Sequence, residues 1–192
     1  LGTFDGVQKL VERTHERGLV AIMDCKVNDI GATNQTIAEY YYAAGFDALI
    51  ANPFIGWEEG LKPIFDVARR LKRGVILLTY MSHKAAWEGY GQTVQEKETP
   101  MPQYVAFANK AAKWGADGVV VGATYPERIK EIRKILTDNV PIYSPGVGAQ
   151  GGDAQLAIEA GARYLIVGRT ILNASNPAGT AKRMRDVAKV KK

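Results

Sequence analysis

The stretch "LVAIMDCKVNDIGATN", residues 19–34, begins as an apolar run and then breaks into Asp24, Lys26 and Asp29 before a series of small and polar residues. The run Leu19–Met23 has the length and composition of a strand buried on both faces. Such strands do not ordinarily end in carboxylate, ammonium and carboxylate. In extended backbone, residues two apart share a side, so Asp24 and Lys26 face one way and Cys25 the other. Asp29 and Thr33 then fall on the following loop and the first helical turn. An isolated D-x-K also reads as an ion pair closing a strand end, or as an Asp capping a helix.

The same unit recurs along the chain. Apolar runs at Leu19–Met23, Ala48–Ala51, Val75–Thr79, Gly118–Val121, Pro141–Tyr143 and Tyr164–Val167 alternate with amphipathic segments such as "VQKLVERTHERG", "LKPIFDVARRLKRG" and "ERIKEIRKILTD". Several of these segments end in Gly, a common helix stop. Strict alternation predicts an α/β fold with a parallel sheet and right-handed crossovers. No G-x-G-x-x-G turn follows the first strand, which disfavours an open nucleotide-binding sheet. Polar residues instead follow nearly every strand, as in a TIM (β/α)8 barrel, which builds its site at the C-terminal strand ends. No linker divides the chain, so residues 1–192 read as a single domain.

Composition excludes more than it selects. The net charge is +5, with Lys and Arg spread along the chain apart from the "KVKK" tail. No basic stripe is interleaved with aromatics, so nucleic acid is not an expected partner. No apolar stretch approaches the roughly 18 residues of a membrane span, and the opening "LGTFDGVQKL" lacks a signal-peptide core, so a cytoplasmic protein is expected. The single cysteine, Cys25, excludes an internal disulfide and reads as a packed residue. With two histidines and no clustered Cys/His pattern, no metal site is expected. His15 lies on a predicted surface helix, and His83 reads equally as exposed or catalytic.

Two later motifs suit an anion. "SPGVGAQGGD", residues 144–153, allows close backbone approach and free N–H groups, with Gln150 as an amide donor. "IVGRT", residues 166–170, ends a strand in Gly168 and Arg169. Loops after the last two strands of a barrel often hold phosphate, and Arg is suited to grip it. In "LLTYMSHKAAWEGYG", Ser82 offers a hydrogen bond to a planar ring and Met81 apolar cover; alone, the stretch reads as a loop.

Taken together, "DCKVNDIGAT", "LLTYMSH", "SPGVGAQGGD" and "IVGRTI" resemble the motifs of the orotidine 5′-phosphate decarboxylase family, the archaeal form in particular, in order and spacing along essentially the whole chain. The resemblance implies cofactor-free decarboxylation of orotidine 5′-monophosphate to UMP in de novo pyrimidine synthesis. It implies that Lys26 delivers a proton to C6, that Asp24 sits beside the departing carboxylate, and that the protein is a homodimer. Asp29, with Ile30 and Thr33, would then reach the partner's site. Met81, Ser82, Pro145, Gly146, Val147 and Gln150 would bind substrate, and Gly168 and Arg169 its phosphate.

The family barrel has eight strands, and six are legible here. By the resemblance these are strands three to eight, so the expectation is a partial barrel lacking two strands, an Asp and a Lys. Leu1 in place of an initiator Met agrees, and such a chain is expected to be a poor catalyst alone. Gly31 stands where the family commonly has Pro, which should loosen that turn. Two other readings share the motifs: a Mg²⁺-dependent sugar-phosphate enzyme of the same suprafamily (3-hexulose-6-phosphate synthase or 3-keto-gulonate-6-phosphate decarboxylase), and a non-catalytic fragment that binds phosphate ligands.

Overall fold

A computed structural model describes residues 3–96, 99–136 and 138–189. The expectations placed on Leu1 and on most of the "KVKK" tail lie outside the described residues. The chain forms two compact units, Leu1–Leu78 and Thr79–Lys192.

In the first unit, α1 (Phe4–His15) precedes β1 (Ile22–Val27), α2 (Gly31–Ala43), β2 (Ala48–Ala51), α3 (Lys62–Leu71) and β3 (Gly74–Tyr80), whose last two residues begin the second unit. The strand order is β1-β2-β3, all parallel. β2 and most of β3 are buried throughout, as their apolar runs predict. β1 departs from expectation. Leu19 and Val20 are 58% and 70% exposed, and the strand begins at Ile22. The cause is Asp47. Its carboxylate accepts the Ala21 amide at 2.8 Å, and its own amide donates to Ala21 O at 2.8 Å, so pairing starts there. The same carboxylate meets His15 Nε2 at 2.9 Å and Arg73 at 2.8 Å, tying α1 to the starts of three strands. The helix stop before β3 also differs: Lys72, not Gly74, takes the left-handed conformation.

In the second unit the end of β3 is followed by α4 (Ala86–Tyr90), a hairpin of β4 (Thr93–Glu96) and β5 (Thr99–Pro102), then α5 (Gln103–Trp114), β6 (Gly118–Val121), α6 (Pro126–Ile135), β7 (Ile142–Pro145), α7 (Ala154–Ala160), β8 (Tyr164–Ile166), α8 (Arg169–Leu172) and α9 (Pro177–Ala188). The strand order here is β3-β6-β7-β8, and the β6–β7 and β7–β8 ladders are parallel. The antiparallel β4–β5 hairpin is not among the strands expected; Pro100 and Pro102 disguise β5, since proline is rare inside ladders. β6 is fully buried, whereas Tyr164 and Ile166 of β8 are exposed. Among the described residues β1 pairs only with β2 and β8 only with β7, so each leaves one edge without a strand partner.

Candidate active site

The charged residues of the first unit stand on an irregularity. From Met23 to Val27, β1 advances four residues while β2 advances two, from Leu49 to Ala51. Within that bulge Lys26 has φ +47°, a left-handed backbone uncommon outside glycine. Simple alternation therefore does not place Asp24 and Lys26. The bulge does, and it sets Lys26 Nζ 2.6 Å from Asp24 Oδ1 with both side chains partly open to solvent. Cys25 turns the other way, its Sγ 3.7 Å from Ile50 O, and burial pushes its thiol pKa up. That fits a packed residue rather than a nucleophile.

Asp29 does not join the pair. Its Oδ1 accepts the Ile30 amide at 2.7 Å, and among the described residues it makes no ion pair. The loop is held by Asn34, which the sequence reading missed. Wholly buried, Asn34 accepts the Asp29 amide at 3.1 Å and donates both to Asp29 O and, at 2.9 Å, to Gly60 O. The only signal for it was a polar residue on the face of α2 that otherwise carries Gly31 and Ala38 inward. A Cβ at Gly31 would stand 2.9 Å from Glu59 O, so the small residue lets the segment at Glu59 close against the helix start. Ile30, 63% exposed, and Thr33 face outward.

In the second unit the turn after β3 and the loop after β7 meet. The Ser82 hydroxyl donates to Gln150 Oε1 at 2.6 Å. Gly146, at φ +94°, makes this approach possible, since a Cβ there would lie 2.8 Å from both Ser82 Cβ and Gln150 Oε1. Thr124 donates to Ser82 O at 2.9 Å and Tyr125 to His83 O at 3.1 Å, which fixes the turn; the His83 side chain is exposed. Met81 and Pro145 are half-buried, Val147 is buried, and Ser144 Oγ is buried with no partner among the described residues.

The loop after β7 is stitched to the start of α8 by Thr170. Its hydroxyl donates to Val147 O at 2.9 Å and accepts the Ala149 amide at 3.1 Å. Among the described residues the amides of Gln150, Gly168 and Arg169 have no acceptor, and the exposed Arg169 guanidinium has no ion pair or hydrogen bond. Unsatisfied amides and an unpaired guanidinium on these two loops suit phosphate oxygens. Asp153 plays no part in this; it caps α7 through the Leu156 amide at 2.8 Å. Among the described residues no three His, Cys, Asp or Glu side chains converge as metal ligands. No helix among them is long and apolar enough to cross a membrane.

The model of the orotidine 5′-phosphate decarboxylase / HUMPS family matches residues 2–184. The chain belongs to this family. It is 39% identical over 182 residues to the orotidine 5′-phosphate decarboxylase of Pyrococcus abyssi, covering 95% of this chain and 78% of that protein. To the Methanosarcina mazei enzyme of the same name it is 43% identical over 160 residues, covering 83% of this chain and 68% of the relative. Among solved structures, the orotidine 5′-monophosphate decarboxylase of Methanocaldococcus jannaschii complexed with the inhibitor BMP matches with TM-score 0.83 and 33% identity, over 96% of this chain and 80% of that one. The Pyrococcus horikoshii OT3 enzyme matches with TM-score 0.78 and 35% identity, over 96% and 81%. The parallel βα units are those of the family's TIM-barrel fold.

Proposed function

We propose that this chain carries the decarboxylation named for its family: orotidine 5′-monophosphate loses CO₂ and becomes UMP, a step of pyrimidine biosynthesis, without a cofactor. Residues 1–192 act as one catalytic domain. The observation that carries the proposal is the Lys26–Asp24 pair, 2.6 Å apart on a left-handed bulge at a strand end.

When the bond from C6 to the carboxylate breaks, its electron pair stays on a ring carbon with poor delocalisation. An ammonium standing at that carbon stabilises the developing charge without reorganising, and then delivers its proton to C6. Lys26 is that group. Asp24 orients it and repels the substrate carboxylate, a repulsion that ends as CO₂ leaves. Ser82 and Gln150 bind the pyrimidine, with Met81, Pro145, Gly146 and Val147 around it. Arg169 and the Gly168 amide hold the phosphate. Binding energy from this remote end orders the loops and excludes water from the reacting bond.

The protein works as a cytoplasmic homodimer in which Asp29, Ile30 and Thr33 reach the partner's site. The exposure of Ile30 and Thr33 beside an Asp29 that makes no ion pair among the described residues supports this. The test is turnover of orotidine 5′-monophosphate by the purified protein in the presence of a chelator, read as UMP formed. Turnover without divalent cation supports the reading. Activity confined to a sugar phosphate and dependent on Mg²⁺ would overturn it.

A further inference from the structure

The turn that brings Ser82 to Gln150 runs directly into α4, and Arg128 of α6 packs against the ring of Trp87 on α4. The Arg128 guanidinium carbon lies 5.6 Å from the ring centre of Trp87 on α4 and 5.1 Å from that of Tyr104 on α5. Arg128 also donates to Tyr104 Oη at 3.0 Å and to the two Glu131 carboxylate oxygens at 3.1 and 3.0 Å. The Tyr104 hydroxyl donates to Glu131 Oε2 at 2.5 Å. Burial and that carboxylate push the Tyr104 phenol up to about 12. Burial alone would raise Glu131, but hydrogen bonds from Tyr104 and Arg128 outweigh it and hold its carboxyl below the usual range. Tyr80, the last residue of β3 and 1% exposed, packs edge-on against Tyr104 at 5.4 Å and tilted against Tyr90 of α4 at 5.9 Å.

Packing alone does not call for an arginine here. Arg128 Nε is buried with no partner among the described residues, a penalty that an apolar side chain between the rings would avoid. Lysine would keep the charge and lose the plane. What arginine supplies is a flat cation whose orientation Glu131 and Tyr104 fix. Trp87 is 54% exposed, so burial holds only part of its ring, and the Arg128 cation adds to that hold on the open side.

We propose that Arg128 is a positioning residue for the decarboxylation: its guanidinium plane fixes Trp87 and α4, and thereby the turn that presents Ser82 to Gln150. The proposal rests on the function given above, and its test separates the two. Amide hydrogen exchange over residues 82–92 is measured in the ligand-free protein for Arg128→Met, Arg128→Lys, Trp87→Ala and Trp87→Phe, alongside kcat and KM for orotidine 5′-monophosphate.

Arg128→Met and Trp87→Ala are expected to speed exchange in that segment about tenfold while α9 exchanges as in the wild type. Both are expected to raise KM about tenfold with kcat within about threefold, the signature of lost ground-state binding. Arg128→Lys should not rescue either readout, and Trp87→Phe should retain both. Unchanged exchange at 82–92, or exchange that rises equally in α9, would overturn the proposal. If Arg128→Met does not fold, the two Trp87 variants decide it. If the wild type does not turn over the substrate, the functional reading falls and the exchange data still judge the clamp.

Discussion

Lys26 Nζ sits 2.6 Å from Asp24 Oδ1, and the backbone that carries Lys26 is left-handed at φ +47°. For an L-residue that conformation costs about 1–2 kcal/mol. The bulge in β1 absorbs it, and strain of this kind tends to persist where it re-aims a functional side chain. The bulge turns Lys26 so that its ammonium and the Asp24 carboxylate converge.

The exposed Arg169, next in the chain to the acceptor-free Gly168 amide, should discriminate ligands by their phosphate. Arg169→Ala is expected to weaken UMP by about 1.5–3 kcal/mol while leaving uridine within about twofold, as loss of a charge-assisted hydrogen bond implies. Calorimetric titration of both ligands checks this, and equal losses for the two would remove Arg169 from the phosphate site.

Gly31 should be intolerant of even one methyl group. Because a Cβ at this position would meet Glu59 O at only 2.9 Å, Gly31→Ala is expected to destabilise the protein by about 1–3 kcal/mol, the usual range for overpacking. A urea midpoint equal to that of the wild type would show that the 57–61 segment yields freely.

Asp47 gives stability a pH dependence of known sign. Burial would raise its carboxyl, but the Ala21 amide, His15 and Arg73 outweigh burial and hold it below the ordinary 3.8. A depressed carboxylate stabilises above its unfolded value and loses that contribution as pH falls through its folded one. Asp47→Asn should therefore destabilise by about 1–3 kcal/mol at pH 7, and the gap should narrow as the pH drops below about 4. Urea unfolding of both proteins across that range checks it; a gap that stays constant would contradict the assignment.

Sharing of sites between subunits has its own signature. If Asp29 serves the neighbour, mixing Lys26→Ala subunits with Asp29→Ala subunits should restore about a quarter of wild-type turnover, because random pairing gives half mixed dimers with one intact site each. Mixtures no more active than either parent would argue that each subunit works alone.

The sequence carried the parallel βα order because β2, β3 and β6 are buried on both faces and so appear as unbroken apolar runs. It misplaced the start of β1, because Leu19 and Val20 look like core while the Asp47 carboxylate decides where pairing begins. The hairpin was hidden by its two prolines and polar alternation. Among the candidate residues, Asp24, Lys26, Gln150 and Arg169 stood out by chemistry, and Ser82 only through the family resemblance. Asn34 did not, since a buried amide clamp and an exposed helical Asn are the same letter until the loop it binds is seen. The bulge was equally invisible: nothing in "DCKV" marks a lysine with positive φ.

Lys26→Ala tests the central claim most directly, with turnover of orotidine 5′-monophosphate and binding of UMP measured on the same preparation of the whole protein that carries this sequence. If Lys26 stabilises the charge at C6 and delivers the proton, kcat should fall by at least about 10³-fold, while UMP binding stays within about tenfold of wild type. Turnover within about tenfold of wild type would contradict the account, because the reaction would then proceed without the ammonium that the Asp24 pair holds in place.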